Sequence, residues 1–242
     1  MDALSIVSIG MQDDLQRMSS ISQNLANVTT PAYKREIAVT RSFDSHMEQA
    51  RAVDGKAALP QQQTNTVALD MSHGALRYTG NPLDLAIEGD GYFEVMTDKG
   101  PAYTRRGMLH LDTRGRIVTE QGNPLMGVGG ELVVSGTSVT VDRNGEVRQS
   151  DRLVGQVKLV RFANPNGLVA LDNGLFAQGT ARLADTGIDG AIRAGYQEGS
   201  NVSSPQEMVR LTETVRHFEA MQKIMQGYDD AFEKTLQKLG DF

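Results

Sequence analysis

Proline is absent from residues 1–30 and from residues 206–242, and 21 of the 25 glycines lie between Gly74 and Gly199. These are the two residues that most strongly interrupt helices. Their segregation leaves both ends of the 242-residue chain free to run as long helices and fills the middle with turns. Any fold for this chain must therefore place two helical termini around a turn-rich centre.

Apolar spacing supports both helices. At the N-terminal end Leu4, Val7, Met11, Met18, Ile21, Leu25 and Val28 recur at steps of three and four, with one break at Asp14. This is the heptad spacing of a coiled-coil stripe. Asp2 is placed to cap the first turn, and Thr29-Thr30-Pro31 closes the helix, since the residue before a proline avoids the α region. At the other end Met208, Leu211, Val215, Phe218, Met225, Phe232, Leu236 and Leu239 form a second stripe, broken at Gln222 and Asp229. Its start reads as a capping box, with Ser204 as N-cap, Pro205 at the first helical position and Glu207 at the third. At about 1.5 Å per residue the two helices span roughly 40 and 50 Å. A compact middle of this size is only about 35 Å across, so both helices are expected to overhang it and to pair antiparallel. Ile6, Ile9, Val209, Met221, Ile224 and Tyr228 lie off the main stripes, leaving apolar surface that a two-helix hairpin does not cover.

The centre reads as β. Residues 36–75 are polar and weakly patterned, an extended connector with a short helix around Phe43–Ala50. From residue 76, short apolar runs alternate with turns. Leu83–Ile87, Tyr92–Met96, Leu109–Leu111, Ile117–Thr119, Leu132–Val134, Val139–Val141, Glu146–Arg148 and Gln156–Phe162 are expected strands. Asp112–Gly115, Asp142–Gly145 and Asn164–Gly167 are expected hairpin turns. The spacing predicts a small sandwich or barrel-like β domain over residues 76–199. It is carried by a helical domain made of residues 1–35 and 200–242, so the fold class is mixed α and β.

Catalytic chemistry finds no foothold. Cysteine is absent, which excludes thiol catalysis, disulfides and cysteine-bound metals. His46, His73, His110 and His217 form no HxH or HExxH pair, and no G-x-S-x-G elbow occurs. Gly127-Val128-Gly129-Gly130 lacks the Lys-Ser/Thr of a phosphate loop. Asp142-Arg143-Asn144-Gly145 opens like a calcium loop, but Leu153 stands where the closing glutamate belongs, so a β-turn is the better reading. A net charge of −6 argues against a nucleic-acid partner. The start lacks the basic and apolar regions of a secretory signal. No metal, cofactor or small-molecule substrate is implied.

Three stretches carry a family resemblance. Asn24-Leu25-Ala26-Asn27-Val28-Thr29-Thr30-Pro31-Ala32-Tyr33-Lys34 resembles the N-terminal signature of the bacterial flagellar axial proteins, the rod and hook group. Gly195-Tyr196-Gln197-Glu198-Gly199-Ser200-Asn201-Val202 resembles the signature before that family's last helix, continued by Glu207-Met208-Val209 and Arg216-His217-Phe218-Glu219. Between them, Gly80–Ile87, Gly89-Asp90-Gly91-Tyr92-Phe93, Tyr103-Thr104-Arg105 and Gly107 resemble the shared core. Pro31-Ala32 stands where relatives often carry glycine, so Ala32 is expected in an ordinary backbone region.

The resemblance implies a non-catalytic subunit of the basal-body rod that transmits torque. Size and the Ser200–Glu219 stretch favour the proximal rod, with the distal rod as the alternative. It implies partners among other rod proteins, further copies of the chain and the flagellar type III export apparatus. It also implies export without a cleaved signal and a final place in the basal body, crossing the periplasm. From the residues alone, a non-flagellar β-domain binding module with oligomerising helices stays open. The residues expected to carry assembly are Asn24, Leu25, Ala26, Asn27, Pro31, Tyr33, Lys34, Gly195, Tyr196, Ser200, Asn201 and Val202. The expected helix-seam contacts are Leu4, Val7, Met11, Met18, Ile21, Met208, Leu211, Val215, Phe218 and Met225.

Overall fold

A computed structural model of the chain describes residues 3–39, 66–136, 139–150, 152–184 and 190–240. The expected helix at Phe43–Ala50 and the Asp2 cap lie outside these residues. The termini form two helices, α1 (Ala3–Ala26, 24 residues) and α2 (Ser204–Gly240, 37 residues). α1 stops ahead of the threonines and proline because Asn27 closes it. The Asn27 backbone N–H and side-chain amide both donate to the Gln23 carbonyl, at 3.1 and 3.0 Å. Val28, read as the end of the stripe, therefore falls beyond the helix. α2 also begins differently from the sequence reading. The first helical hydrogen bond runs from Glu207 N–H to Ser203 C=O at 3.0 Å, making Ser203 the N-cap and freeing the Glu207 carboxylate from any capping box.

Two compact units result. The first comprises the described parts of residues 1–27, 35–70 and 202–242. In it α1 and α2 run antiparallel: Asn24 meets Glu207, Asp14 meets His217, and a methyl on Gly10 would lie 3.5 Å from Met221 Cε. The ends of the connector join this unit as a ribbon, Glu36–Val39 pairing antiparallel with Thr66–Leu69. The buried face of α1 carries Asp14, Ser20, Ile21 and Asn24, and that of α2 carries Glu207 and Thr214. The inner seam is thus largely polar at this end. The Asp14 "break" in the apolar spacing lies on its buried face.

The second unit comprises residues 28–34 and 71–201 and is mainly β. A five-stranded antiparallel sheet has the order Leu159–Val160, Tyr92–Thr97, Gly100–Thr104, Leu175–Ala177, Val169–Ala170, with Phe93 opposite Thr104. Val139–Val141, Glu146–Gln149 and Arg152–Gln156 form a three-stranded sheet. Leu85–Glu88 pairs with Ala191–Ala194, Leu76–Tyr78 with Tyr196–Glu198, and Leu109–Leu111 with Ile117–Thr119. Leu85, Ile87, Phe93, Val95, Ile117, Leu125, Val147 and Ile192 form a closed apolar core. Among the described residues the sheets are open and none closes into a barrel. The expected run Leu132–Val134 makes only a single bridge, Val133 to Arg116. The expected run Gln156–Phe162 divides: Gln156 ends the strand that starts at Arg152, and Leu159–Val160 forms a separate one.

The turns follow side-chain chemistry. Asp112 Oδ1 accepts from the N–H groups of Arg114 and Arg116 (2.9 and 2.8 Å), and Asp142 Oδ1 does the same for Asn144 and Glu146. Asp142 is engaged by its own turn and so takes the β-turn role.

Candidate functional site

The two signature stretches meet inside the second unit. Gly195 opens this site with φ +80, a conformation glycine adopts without strain. Its N–H donates to Asp84 C=O at 2.8 Å and its C=O accepts from Thr79 N–H at 2.8 Å. Tyr196 packs edge-on against Tyr78 with centroids 5.2 Å apart, and the Arg193 guanidinium lies 5.7 Å from the Tyr196 centroid. Asn201 N–H donates to Tyr33 C=O at 3.3 Å, and its side-chain amide donates to Ser72. Pro31 C=O accepts from Arg106 Nε at 3.2 Å. Ser200 is half-buried beside these contacts.

The centre of the site is Glu198, which the sequence motif contains but which its spacing did not single out. Lys34 Nζ donates to Glu198 Oε1 at 2.8 Å and to Ser72 C=O at 2.7 Å. Arg105 Nε donates to Glu198 Oε2 at 2.5 Å, and Gly74 N–H donates to Oε1 at 3.0 Å. Arg105 then places its remaining N–H groups on the carbonyls of Ile87, Gly89 and Gly91. All three charged side chains are at most 2% exposed. Burial pushes the Glu198 carboxyl up, but the Arg105 and Lys34 charges and their hydrogen bonds outweigh it and hold the group below its usual range. One cation from the N-terminal signature, one from the central core and one anion from the C-terminal signature thus lock three distant parts of the chain together. Each of the three charges lies inside a stretch that carries the family resemblance, but nothing in the spacing pairs them.

Ala32 corrects an expectation. Its φ is +54, it is 4% exposed, and its N–H donates to Glu198 C=O at 2.9 Å. The left-handed turn is thus kept with alanine in it, held by burial and this hydrogen bond. Two glycines in the same unit permit close backbone approach: a methyl on Gly74 would stand 1.9 Å from Gly199 C=O, and one on Gly107 1.6 Å from Leu85 C=O.

The first unit has its own polar clamp. Asn24 exchanges two hydrogen bonds with the Glu36 backbone (2.9 and 2.8 Å) and donates to Glu207 Oε2 at 3.3 Å. Glu207 Oε1 accepts from Arg35 Nε and Arg210 Nη1, both at 2.8 Å. Burial raises the pKa of Glu36 beside it. Of the remaining residues singled out from the sequence, Ile21 and Val202 are buried. Val7, Met11, Met18, Leu25, Leu211, Phe218 and Met225 are half-buried, and Ala26 is exposed. The side chain of Leu4 lies outside the described residues. Met208 and Val215 are 56% and 36% exposed, as are Val209, Ile224, Tyr228 and Phe232 at 45–59%. Among the described residues no cluster of three or more His, Asp or Glu is placed to hold a metal. His73 and Arg161, which border a cleft with Tyr92 and Phe162, both pair with Asp90.

Comparison with known proteins bears on this arrangement. Residues 86–149 match the family model of the flagellar hook protein FlgE/F/G D1 domain. Residues 193–238 match that of the flagellar basal body rod FlgEFG protein C-terminal region. The flagellar basal-body rod protein FlgF of Caulobacter vibrioides is 29% identical over an alignment of 244 positions, covering 99% of each chain. The rod protein FlgG of Buchnera aphidicola (from Acyrthosiphon pisum) is 31% identical over 262, covering 97% of this chain and 98% of that one. The FlgF protein of Salmonella typhimurium is 30% identical over 234, covering 89% of each.

Proposed function

This chain belongs to the FlgF/FlgG family of flagellar basal-body rod proteins, and from that premise we propose how its two units divide the work of a rod subunit. It is a structural protein of the basal body and not an enzyme. In this reading the terminal helices supply the contacts between subunits, and the β unit is a prefolded outer body. The observation that carries it is the apolar surface of α2, where Met208, Val209, Ile224, Tyr228 and Phe232 are each 45–58% or, for Phe232, 59% exposed. A contact between different surfaces of identical or related subunits propagates as an open helix when its rotation does not close into a ring. Apolar area covered by each neighbour contributes about 25 cal/mol per Å².

The α1–α2 contacts fall in register, so α1 runs out at Ala3 opposite Tyr228 and residues 229–240 of α2 extend past it. This overhang suits a neighbouring subunit. The seam residues Met208 and Val215 are assigned to the same intersubunit face, and a coiled-coil-like hairpin is the form proposed for the helix pair. The match to a FlgF protein over 99% of each chain supports the proximal rod over the distal one. Partners are then other rod proteins and further copies of this chain. Delivery is through the flagellar type III export apparatus, without a cleaved signal, to a rod that crosses the periplasm.

The test is Ile224→Asp, at a position 57% exposed in the single chain. The variant is expected to fold as the parent does and to leave bacteria without complete basal bodies. Motile cells with normal basal bodies built from that variant would overturn the assignment of this face.

A further inference from the structure

α2 is 13 residues longer than α1, and both carry heptad stripes. Sliding α2 by one heptad, so that Gly10 meets Tyr228 and not Met221, keeps every residue of α1 covered. Length and apolar spacing therefore leave the register of this pair undecided. What distinguishes the two arrangements is polar. In the observed register the Asp14 carboxylate, 1% exposed, accepts from His217 Nδ1 at 2.5 Å and from Arg17 Nη1 at 3.4 Å. Ten residues further along, Asn24 meets Glu207, also 1% exposed. After a one-heptad slide Asp14 would face Ile224, leaving its charge buried with only the more distant Arg17. Glu207 would lose both Asn24 and Arg35. Removing one partner of a buried charge is strongly unfavourable.

We infer that Asp14–His217 is a register lock, seconded by Asn24–Glu207, that selects which heptad of α2 pairs with α1 and so fixes how much of α2 extends beyond it. The slid arrangement would draw residues 229–235 into the chain's own hairpin. The lock keeps them outside it. The inference rests on the geometry of the helix pair and does not require the rod reading, so either can fail alone.

The absence of native cysteine makes the register directly readable. Two cysteine pairs are introduced into the full chain: Gly10→Cys with Met221→Cys for the observed register, and Gly10→Cys with Tyr228→Cys for the slid one. Each is oxidised in the parent background, with Asp14→Leu/His217→Leu, and with Asp14→Asn, which retains a hydrogen-bonding partner for His217. The two leucines fit the heptad and favour helix, so the doubly substituted chain is expected to keep its circular dichroism. In the parent and Asp14→Asn, disulfide formation at 10–221 is expected to exceed that at 10–228 by about tenfold or more. In Asp14→Leu/His217→Leu, where the Asn24–Glu207 pair remains, the excess of 10–221 over 10–228 is expected to shrink by about threefold or more. The lock is overturned if the 10–221 excess is unchanged in the leucine variant, or if the parent forms both pairs alike or neither.

Discussion

The two units of this chain handle buried charge in opposite settings. In the β unit, Lys34, Arg105 and Glu198 sit beside a dense apolar core that includes Phe93, Val95 and Leu125, each 0% exposed. In the helical unit, the buried positions at the facing helices are Asp14, Ser20, Asn24, Glu207 and Thr214, with Ile21 the only large apolar side chain below 9% exposure among the described residues of α1 and α2. The β unit is held by its own interior. The helical unit is aligned by polar pairs and keeps its apolar residues outside. A core supplies stability, whereas polar pairs supply register. A unit rich in the second and poor in the first has apolar surface left for neighbours.

The same truncation at two phenylalanines tests that contrast most sharply. Phe93→Ala is expected to destabilise the β unit by about 3–5 kcal/mol in denaturant unfolding followed by strand signal. Phe232→Ala, at 59% exposure, is expected to leave the free chain within about 0.5 kcal/mol of the parent while reducing incorporation into basal bodies. Equal stability losses at both positions would erase the distinction. Glu198→Ala should come close to the larger effect, about 3–5 kcal/mol, because it strands Arg105 and Lys34 in the interior.

Gly107→Ala should cost about 1–3 kcal/mol or more, since its methyl meets Leu85 C=O. A pH titration gives the smallest change. Glu198 titrates below its ordinary value in the folded unit, so its stabilisation is complete above the unfolded carboxylate range, about 4.3, and is lost as pH falls through the lower folded value. Denaturant midpoints of the β unit should hold from neutral pH to about pH 5 and drop below about pH 4. In Glu198→Gln that component of the drop should vanish.

Much of this was legible in the residues. The missing prolines and glycines marked both helices, and Asp-x-x-Gly marked the turns at Asp112 and Asp142, because each signal acts locally. Strands such as Gly100–Thr104 and Ala191–Ala194 were not legible. Gly100, Pro101, Ala191 and Ala194 oppose strand propensity, and only pairing with Tyr92–Thr97 and with the distant Leu85–Glu88 makes these segments extended. The inner face of the helix pair was misread for a related reason. Apolar periodicity assigns the stripe to Met208 and Val215, whereas Glu207 and Thr214 one position earlier are buried by Asn24, Arg35 and the packing of α1. The anionic centre at Glu198 was hidden because its two cations are 164 and 93 residues away.

Hydrogen exchange across α2, compared between the purified chain and isolated basal bodies, tests the division of labour most directly. Amides of Tyr92–Thr97 and Gly100–Thr104 are expected to be protected in both. Amides of residues 229–240, beyond the reach of α1, are expected to exchange rapidly in the free chain and to become protected in the basal body. Equal protection of residues 229–240 in the two states would contradict the account.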